Sequence, residues 1–441
     1  MRLSDTPGRG DNALGDALAN AAAAYVKRNP ASLAAHERAL AVLPGGNTRS
    51  VLHYDPFPLA MVRGQGCRLW DADGHEYVDF LGEFTAGIYG HSDPRIVAAI
   101  TGAVAEGLNL GSQTLREAAL AELIQGRFPS MQLLRFTNSG TEANLMALAV
   151  AKAHTDRSKV MVFEGAYHGG VLTFPTGGSP VTVPHHYVMA RFNDIDGTRA
   201  LIRAHGTDLA AVLVEPMMGG AGCLPGDPDF LRMLRDEATA AKALLIFDEV
   251  MTSRLSGGGM QQRLGFAPDL TTMGKYIGGG MSAGAFGGLG AVMARFDPRR
   301  ADALPHAGTF NNNALTMAAG TVGLRDIFTP EASEALNARG ETLREALNRE
   351  FRDAGVPICV SGVGSLMNIH PLATLPRAPH DLAHADKRAR DLIFFDLLEK
   401  GIYIARRGFV ALSLPLGEAE ADLLVETVRA LLPRWASLLR A

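Results

Sequence analysis

From about residue 130 to 290 the chain alternates short apolar runs with stretches of helical periodicity. QLLRFTNSGT (132–141), SKVMVFEGAYHGG (158–170), LAAVLVEPMMGG (209–220), KALLIFDEVMTS (242–253) and DLTTMGKYIGGG (269–280) each begin apolar and end polar or glycine-rich. Between them EANLMALAVAKAH (142–154) and DPDFLRMLRDEATAAK (227–242) carry helical patterns. Strands alternating with helices predict a parallel sheet covered on both faces. Ligands of such sheets bind beyond the carboxyl ends of the strands, so the polar tails of the five runs are expected to converge.

The pattern changes at both ends of this region. Residues 31–80 read as a helix and a hairpin, with Asp73-Gly74 turning between alternating strands in RLWDADGHEYVDF. From about residue 330 a long helix ends at glycine, and short strands follow around 357–369 and 401–414. A last helix carries Leu424, Val425, Val428, Leu431 and Leu432 on one side. The expected organisation is an N-terminal segment (1–75), a large domain (76–328) and a smaller α+β domain (329–441).

Composition narrows the class without naming a chemistry. Of the 441 residues 47% are hydrophobic and 20% charged, the balance of a soluble globular enzyme. A net charge of −4 gives no electrostatic reason to expect nucleic acid or an anionic membrane as partner. Cys67, Cys223 and Cys359 are few, odd in number and far apart, so neither a disulfide framework nor a metal site is expected, and a reducing cytoplasm is the default compartment. LANAAAAY near the N-terminus lacks a basic flank followed by a long apolar core, and reads as a surface helix. The 49 glycines cluster at 165–170, 219–222, 257–259, 278–280 and 284–288, which suggests loops that hug a ligand.

Candidate chemistry lies at the tails of the runs. Lys275 follows a strand-like segment and precedes three glycines, with no acidic residue within five positions. A lysine enclosed at a strand end can lose its proton and attack a carbonyl; taken alone, an ordinary lysine snorkelling from a loop is the favoured reading. Asp248 ends ALLIFD, where a buried acid needs a cation or hydrogen bonds; a protonated pyridine nitrogen is one such partner, a capping role the other. FTNSGTEAN reads as strand, turn and helix start, so Ser139, Gly140 and Thr141 form a phosphate cradle or a plain N-cap. Tyr167 at a strand end is placed to stack on a flat ring. Gly280–Gly284 matches G-x-S-x-G, but no apolar strand runs into it, so Ser282 reads as a loop residue. Residue 269 is Asp and residue 276 is Tyr, which rules out a P-loop, and His185-His186 reads as surface. Lysine, acid, cradle and aromatic on consecutive strand ends together define a pyridoxal-phosphate site.

The order SGTEA (139–143), AYHG (166–169), EP (215–216), DEV (248–250), GKYIGGG (274–280) and GTFNNN (308–313) resembles the class III aminotransferases over about residues 40 to 435. PGGNTR (44–49), DEVMT (248–252) and GGGMSAGAFGG are similar to the glutamate-1-semialdehyde aminomutase branch. NTRSV, TFNNN and RRGFVALSLP are closer to aromatic β-amino-acid (β-phenylalanine) aminotransferases. The resemblance implies a fold-type I α/β architecture, with a mainly parallel seven-stranded sheet flanked by helices and a smaller α+β domain. It implies pyridoxal 5'-phosphate held by Lys275, with Asp248 on the pyridine nitrogen and Val250 and Tyr167 on the two ring faces. Ser139, Gly140 and Thr141 would hold the phosphate, joined by Thr309 of a neighbouring subunit in a homodimer, and Glu215 would sit on the O3′ side. Arg49 and Arg407 match carboxylate-binding arginines, while Val51, Phe84, Tyr89 and Met281 are candidates for the pocket wall. The implied activity is transfer of the amino group of an aromatic β-amino acid to 2-oxoglutarate or pyruvate. An aminomutase is the alternative, although the segment after DEVMT is shorter than in that branch.

Overall fold

A computed structural model of the chain describes residues 9–439. Among the described residues the strands form four sheets. The largest has seven strands, β4 (Leu133–Thr137), β5 (Lys159–Phe163), β6 (His186–Ala190), β7 (Leu209–Val214), β10 (Leu244–Asp248), β11 (Leu270–Gly274) and β12 (Gly284–Gly288), in the order β4-β12-β11-β10-β7-β5-β6. All adjacent pairs run parallel except those of β12, which is antiparallel to both β11 and β4. β7, β10 and β11 are buried along their whole length, and their near-continuous apolar sequences are what a sheet covered on both faces requires.

Five of the seven strands are the five apolar runs. The other two escape the reading for different reasons. GAFGG looks like a loop by propensity, yet it is a buried strand because its neighbours leave no room for side chains. A Cβ on Gly284 would lie 2.1 Å from the Ser139 carbonyl oxygen, and one on Gly288 would lie 2.1 Å from that of Asp269. Packing therefore overrides propensity here. β6 mixes exposed and buried positions at the sheet edge and lacks a long apolar run.

A four-stranded sheet joins β1 (Met61–Gln65), β2 (Arg68–Asp71), β3 (Glu76–Asp79) and, parallel to β3, β15 (Ile402–Tyr403). The Asp73-Gly74 turn joins β2 and β3 as expected, with Asp71 accepting from the backbone N–H groups of Asp73 and His75. β13 (Cys359–Val363), β14 (Leu366–His370) and β16 (Phe409–Ala411) form a third sheet, and β8 (Met217–Met218) with β9 (Leu224–Pro225) a short hairpin. The helices Pro330–Asp353 and Glu418–Leu438 close a core around the fully buried Trp435, Phe351 and Phe394. The stretch that includes LANAAAAY lies within the helix Arg9–Arg28 and buries Tyr25. No helix of the described residues is long and apolar enough to cross a membrane.

Because β12 lies flat against the turn after β4, Gly284→Ala is expected to lower stability by about 1–3 kcal/mol through overpacking. The measurement is the urea midpoint of the variant beside that of the wild type.

Candidate active site

Each candidate follows from where its strand stops. Asp248 is the last residue of β10, Lys275 the first after β11, Glu215 the first after β7, and Ser139 the second after β4. In a parallel sheet these ends share one edge, so four segments far apart in sequence meet there.

Asp248 is buried and is held from three directions. Its Oδ2 accepts from Asn144 Nδ2 and His168 Nδ1, both at 2.8 Å, and its Oδ1 accepts from the Val250 backbone N–H at 3.0 Å. Asn144 is fixed in turn, donating to the His168 carbonyl and accepting from Thr272 Oγ1 at 2.7 Å. His168 is 1% exposed and its Nε2 has no partner. Neither Asn144 nor His168 was assigned a role by the sequence reading. Both lie inside quoted motifs, Asn144 one helical turn past the cradle and His168 beside Tyr167. A polar residue on the sheet-facing side of a buried helix is the signal that finds Asn144.

Lys275 adopts a left-handed backbone, φ 58°, at the turn out of β11. Such strain in a residue with a side chain concentrates at functional sites. Burial lowers its ammonium from 10.5 to about 8; nearby Asp248 opposes the shift and Arg407 reinforces it. Burial likewise raises the Glu215 carboxyl to about 7. Its two oxygens accept from the backbone N–H groups of Tyr167 and Gly219, each at 3.0 Å. Tyr167 itself is 52% exposed, with its Cβ against Gly220.

Ser139 caps the helix Gly140–Thr155, accepting at Oγ from the Glu142 N–H at 3.2 Å. The cap and the cradle are therefore one structure: the cap leaves the Gly140 and Thr141 N–H groups without acceptors among the described residues. Thr141 Oγ1 faces Gly169, where a Cβ would lie 2.1 Å away, and Gly140 packs on Val250. Gly278 and Gly279 serve another purpose than hugging a ligand. They press on Ala283 and on Ala319 of the helix Ala314–Val322. Thr309 stands apart from the cradle, exposed in a groove with Leu108, Leu110 and Phe310.

The two arginines converge on one ring. The Arg49 Cζ lies 5.6 Å and the Arg407 Cζ 5.4 Å from the centroid of Phe84. Arg407 also stacks on Phe409 at 5.4 Å, its Nε has no partner, and burial holds its guanidinium below the usual arginine range. Arg406 points elsewhere and pairs with Asp391 at 2.6 Å. Arg254, just past the DEVMT motif, has no role legible in the sequence. It is fully buried, its guanidinium donating to Ser365 Oγ at 3.1 Å and to the carbonyls of Thr85 and Leu412. It ties the segment after β10 to the segments beside the four-stranded and three-stranded sheets.

A buried lysine of lowered pKa, a buried acid hydrogen-bonded by Asn144, His168 and the Val250 N–H, and a helix start with free N–H groups suit an aldehyde, a ring nitrogen and a phosphate respectively. Fold and site together define a fold-type I pyridoxal-phosphate enzyme. The profile of the class III aminotransferases matches residues 51–427, and the chain belongs to that family. It is 53% identical to the β-phenylalanine transaminase of Variovorax paradoxus, over 96% of this chain and 99% of that one. The crystal structure of a β-phenylalanine aminotransferase from that organism superposes with a TM-score of 0.95 at the same identity and coverage. A transaminase solved with pyridoxal phosphate bound is 34% identical, with a TM-score of 0.85 over 94% of this chain and 99% of that one. A glutamate-1-semialdehyde 2,1-aminomutase of Sorangium cellulosum is 38% identical over 91% of this chain and 95% of that one. The chain is a pyridoxal-phosphate-dependent aminotransferase.

The buried lysine makes the cofactor-free protein pH-sensitive. Below about pH 8 the ammonium is carried in both folded and unfolded chains, and folding bears its burial cost. Between about 8 and 10.5 the folded chain has shed a proton that the unfolded chain still binds, so stability rises with pH. Cofactor-free Lys275→Met is therefore expected to exceed the cofactor-free wild type by on the order of 2–3 kcal/mol at neutral pH. Chemical denaturation across the alkaline range should find that gap closing toward pH 10.5.

Proposed function

We propose that the enzyme moves the amino group of an aromatic β-amino acid, such as β-phenylalanine, to 2-oxoglutarate or pyruvate. The observation that carries this reading is the pair of arginines on Phe84. In a β-amino acid the carboxylate lies one carbon farther from the amine than in an α-amino acid. A site that also takes a dicarboxylate benefits from cations at two positions. The aromatic rings of Phe84 and Phe409 beside them suit an aryl side chain. The likeness to the Variovorax paradoxus transaminase supports the same substrate class.

Bound pyridoxal phosphate supplies an electron sink for the substrate carbon. In this reading Lys275 holds the cofactor and, once free, moves the proton at its Nζ. Asp248, oriented by Asn144 and His168, keeps the ring nitrogen protonated. Val250 and Tyr167 would flank the ring, and Glu215 would lie toward its O3′ side. Ser139, Gly140 and Thr141 receive the phosphate. Thr309 of a second copy completes the cradle in a homodimer; exposed Leu108, Leu110 and Phe310 around Thr309 support that assembly. Three unpaired cysteines favour a reducing cytoplasm. An aminomutase, the alternative, handles an intramolecular exchange for which one carboxylate anchor suffices, so Arg407 weighs against it.

Absorbance of the holoenzyme, mixed without keto acid with β-phenylalanine and separately with glutamate, tests the reading. The pyridoxal form is expected to convert to the pyridoxamine form with both. Conversion only by a diamino acid related to glutamate semialdehyde would transfer the assignment to the aminomutase. Lys275→Ala should cut turnover by at least about a hundredfold. Arg407→Ala should raise the KM for 2-oxoglutarate by about ten- to a hundredfold, and that for pyruvate less; equal losses would remove Arg407 from acceptor selection.

A further inference from the structure

Residues Gly82–Thr85 form a turn in which four consecutive residues are left-handed, with φ of 54°, 47°, 51° and 84°. Three of them carry side chains, and each pays a steric cost for that conformation. The surroundings force it. Asp79 Oδ1 accepts from the Leu81 and Gly82 N–H groups at 2.9 and 3.0 Å, and Arg254 donates to the Thr85 carbonyl at 3.4 Å. The Ala411 carbonyl oxygen stands where a Cβ on Gly82 would come within 3.0 Å. The turn inserts Phe84 between Arg49 and Arg407 and sets the Glu83 carboxylate on the Arg49 guanidinium.

The two arginines thus differ in one respect. Arg49 already holds a carboxylate, that of Glu83, whereas Arg407 forms no ion pair among the described residues. Both ends of the Arg49–Glu83 pair are about half exposed, 46% and 51%, so the pair is weak enough to exchange. Glu83 also borders a cavity of about 470 Å³ with His36, Asn47, Val51 and His91, which gives its side chain room to swing away.

We propose that Glu83 is a specificity-determining residue, an internal carboxylate that occupies Arg49 and that only a ligand bringing its own carboxylate displaces. An amine without a carboxylate finds the charge of Arg49 already neutralised and gains nothing from it. A substrate carboxylate exchanges with Glu83, which swings toward the cavity; on product release Glu83 returns. This rests on the reading of Arg49 as a carboxylate anchor.

The test is calorimetric titration of the holoenzyme with 3-phenylpropanoate and with glutarate, which carry the carboxylates without an amine to react. Glu83→Gln is expected to tighten both by about two- to fivefold, the range of a half-exposed ion pair. The gain should persist in Glu83→Gln/Arg407→Ala and vanish in Glu83→Gln/Arg49→Ala. A gain that survives loss of Arg49, or no gain at all while Arg49→Ala weakens both acids, overturns the proposal and leaves the anchor reading intact. If Arg49→Ala leaves both acids binding as in the wild type, the anchor reading itself falls. Thermal melting of Glu83→Gln at the wild-type temperature separates lost binding from a collapsed turn; a gain with the turn intact supports the proposal.

Discussion

The rest of the site depends on a carboxyl group buried in the protein interior and hydrogen-bonded from three directions. Among the described residues no arginine or lysine is hydrogen-bonded to Asp248; its oxygens are met by Asn144, His168 and the Val250 N–H. A buried carboxyl group needs hydrogen-bond partners, and these three donors supply them. Each donor comes from a different segment: the helix after β4, the loop after β5 and the turn after β10. A mislaid helix or strand would leave a buried carboxylate unsatisfied, so the chemistry and the packing of the sheet stand or fall together.

A second constraint is closeness. The cradle at Ser139–Thr141 faces β12, whose glycines bring backbone against backbone, and Gly140 lies on Val250. The shape of this helix start is thus set by how near two strands approach, and glycine is the residue that permits it. Fold and function share this cost: β12 has few side chains to pack, and its stability comes from two complete antiparallel ladders with β4 and β11.

The substrate side is assembled differently. Arg49 comes from the N-terminal segment, Glu83 and Phe84 from a strained turn after β3, and Arg407 from the loop between β15 and β16. β3 and β15 pair in the same small sheet, and Arg254 reaches from the large sheet to both sides. Buried, with burial lowering its pKa to about 9, Arg254 is satisfied by carbonyls and a hydroxyl rather than by a carboxylate. That makes it a rigid tie between the segment after β10 and the turn that carries Glu83 and Phe84.

What the sequence determined by itself is which residue stands at each strand end. Lys275, Asp248, Glu215 and Ser139–Thr141 are legible because a long apolar run that stops at a polar residue marks a buried strand and its carboxyl end. The order of those ends then identifies the cofactor. Local rules also place the Asp73-Gly74 hairpin and the last amphipathic helix. Tertiary structure alone decided that GAFGG is a strand, because its glycines answer to neighbours distant in the chain. It alone joined His168 and Asn144 to Asp248, pressed Gly278 and Gly279 on the helix at Ala314–Val322, and twisted Gly82–Thr85 so that Glu83 meets Arg49. Periodicity and propensity report what a residue does for its own segment. A hydrogen bond across 104 residues, such as that of Asn144 to Asp248, leaves no local pattern to read.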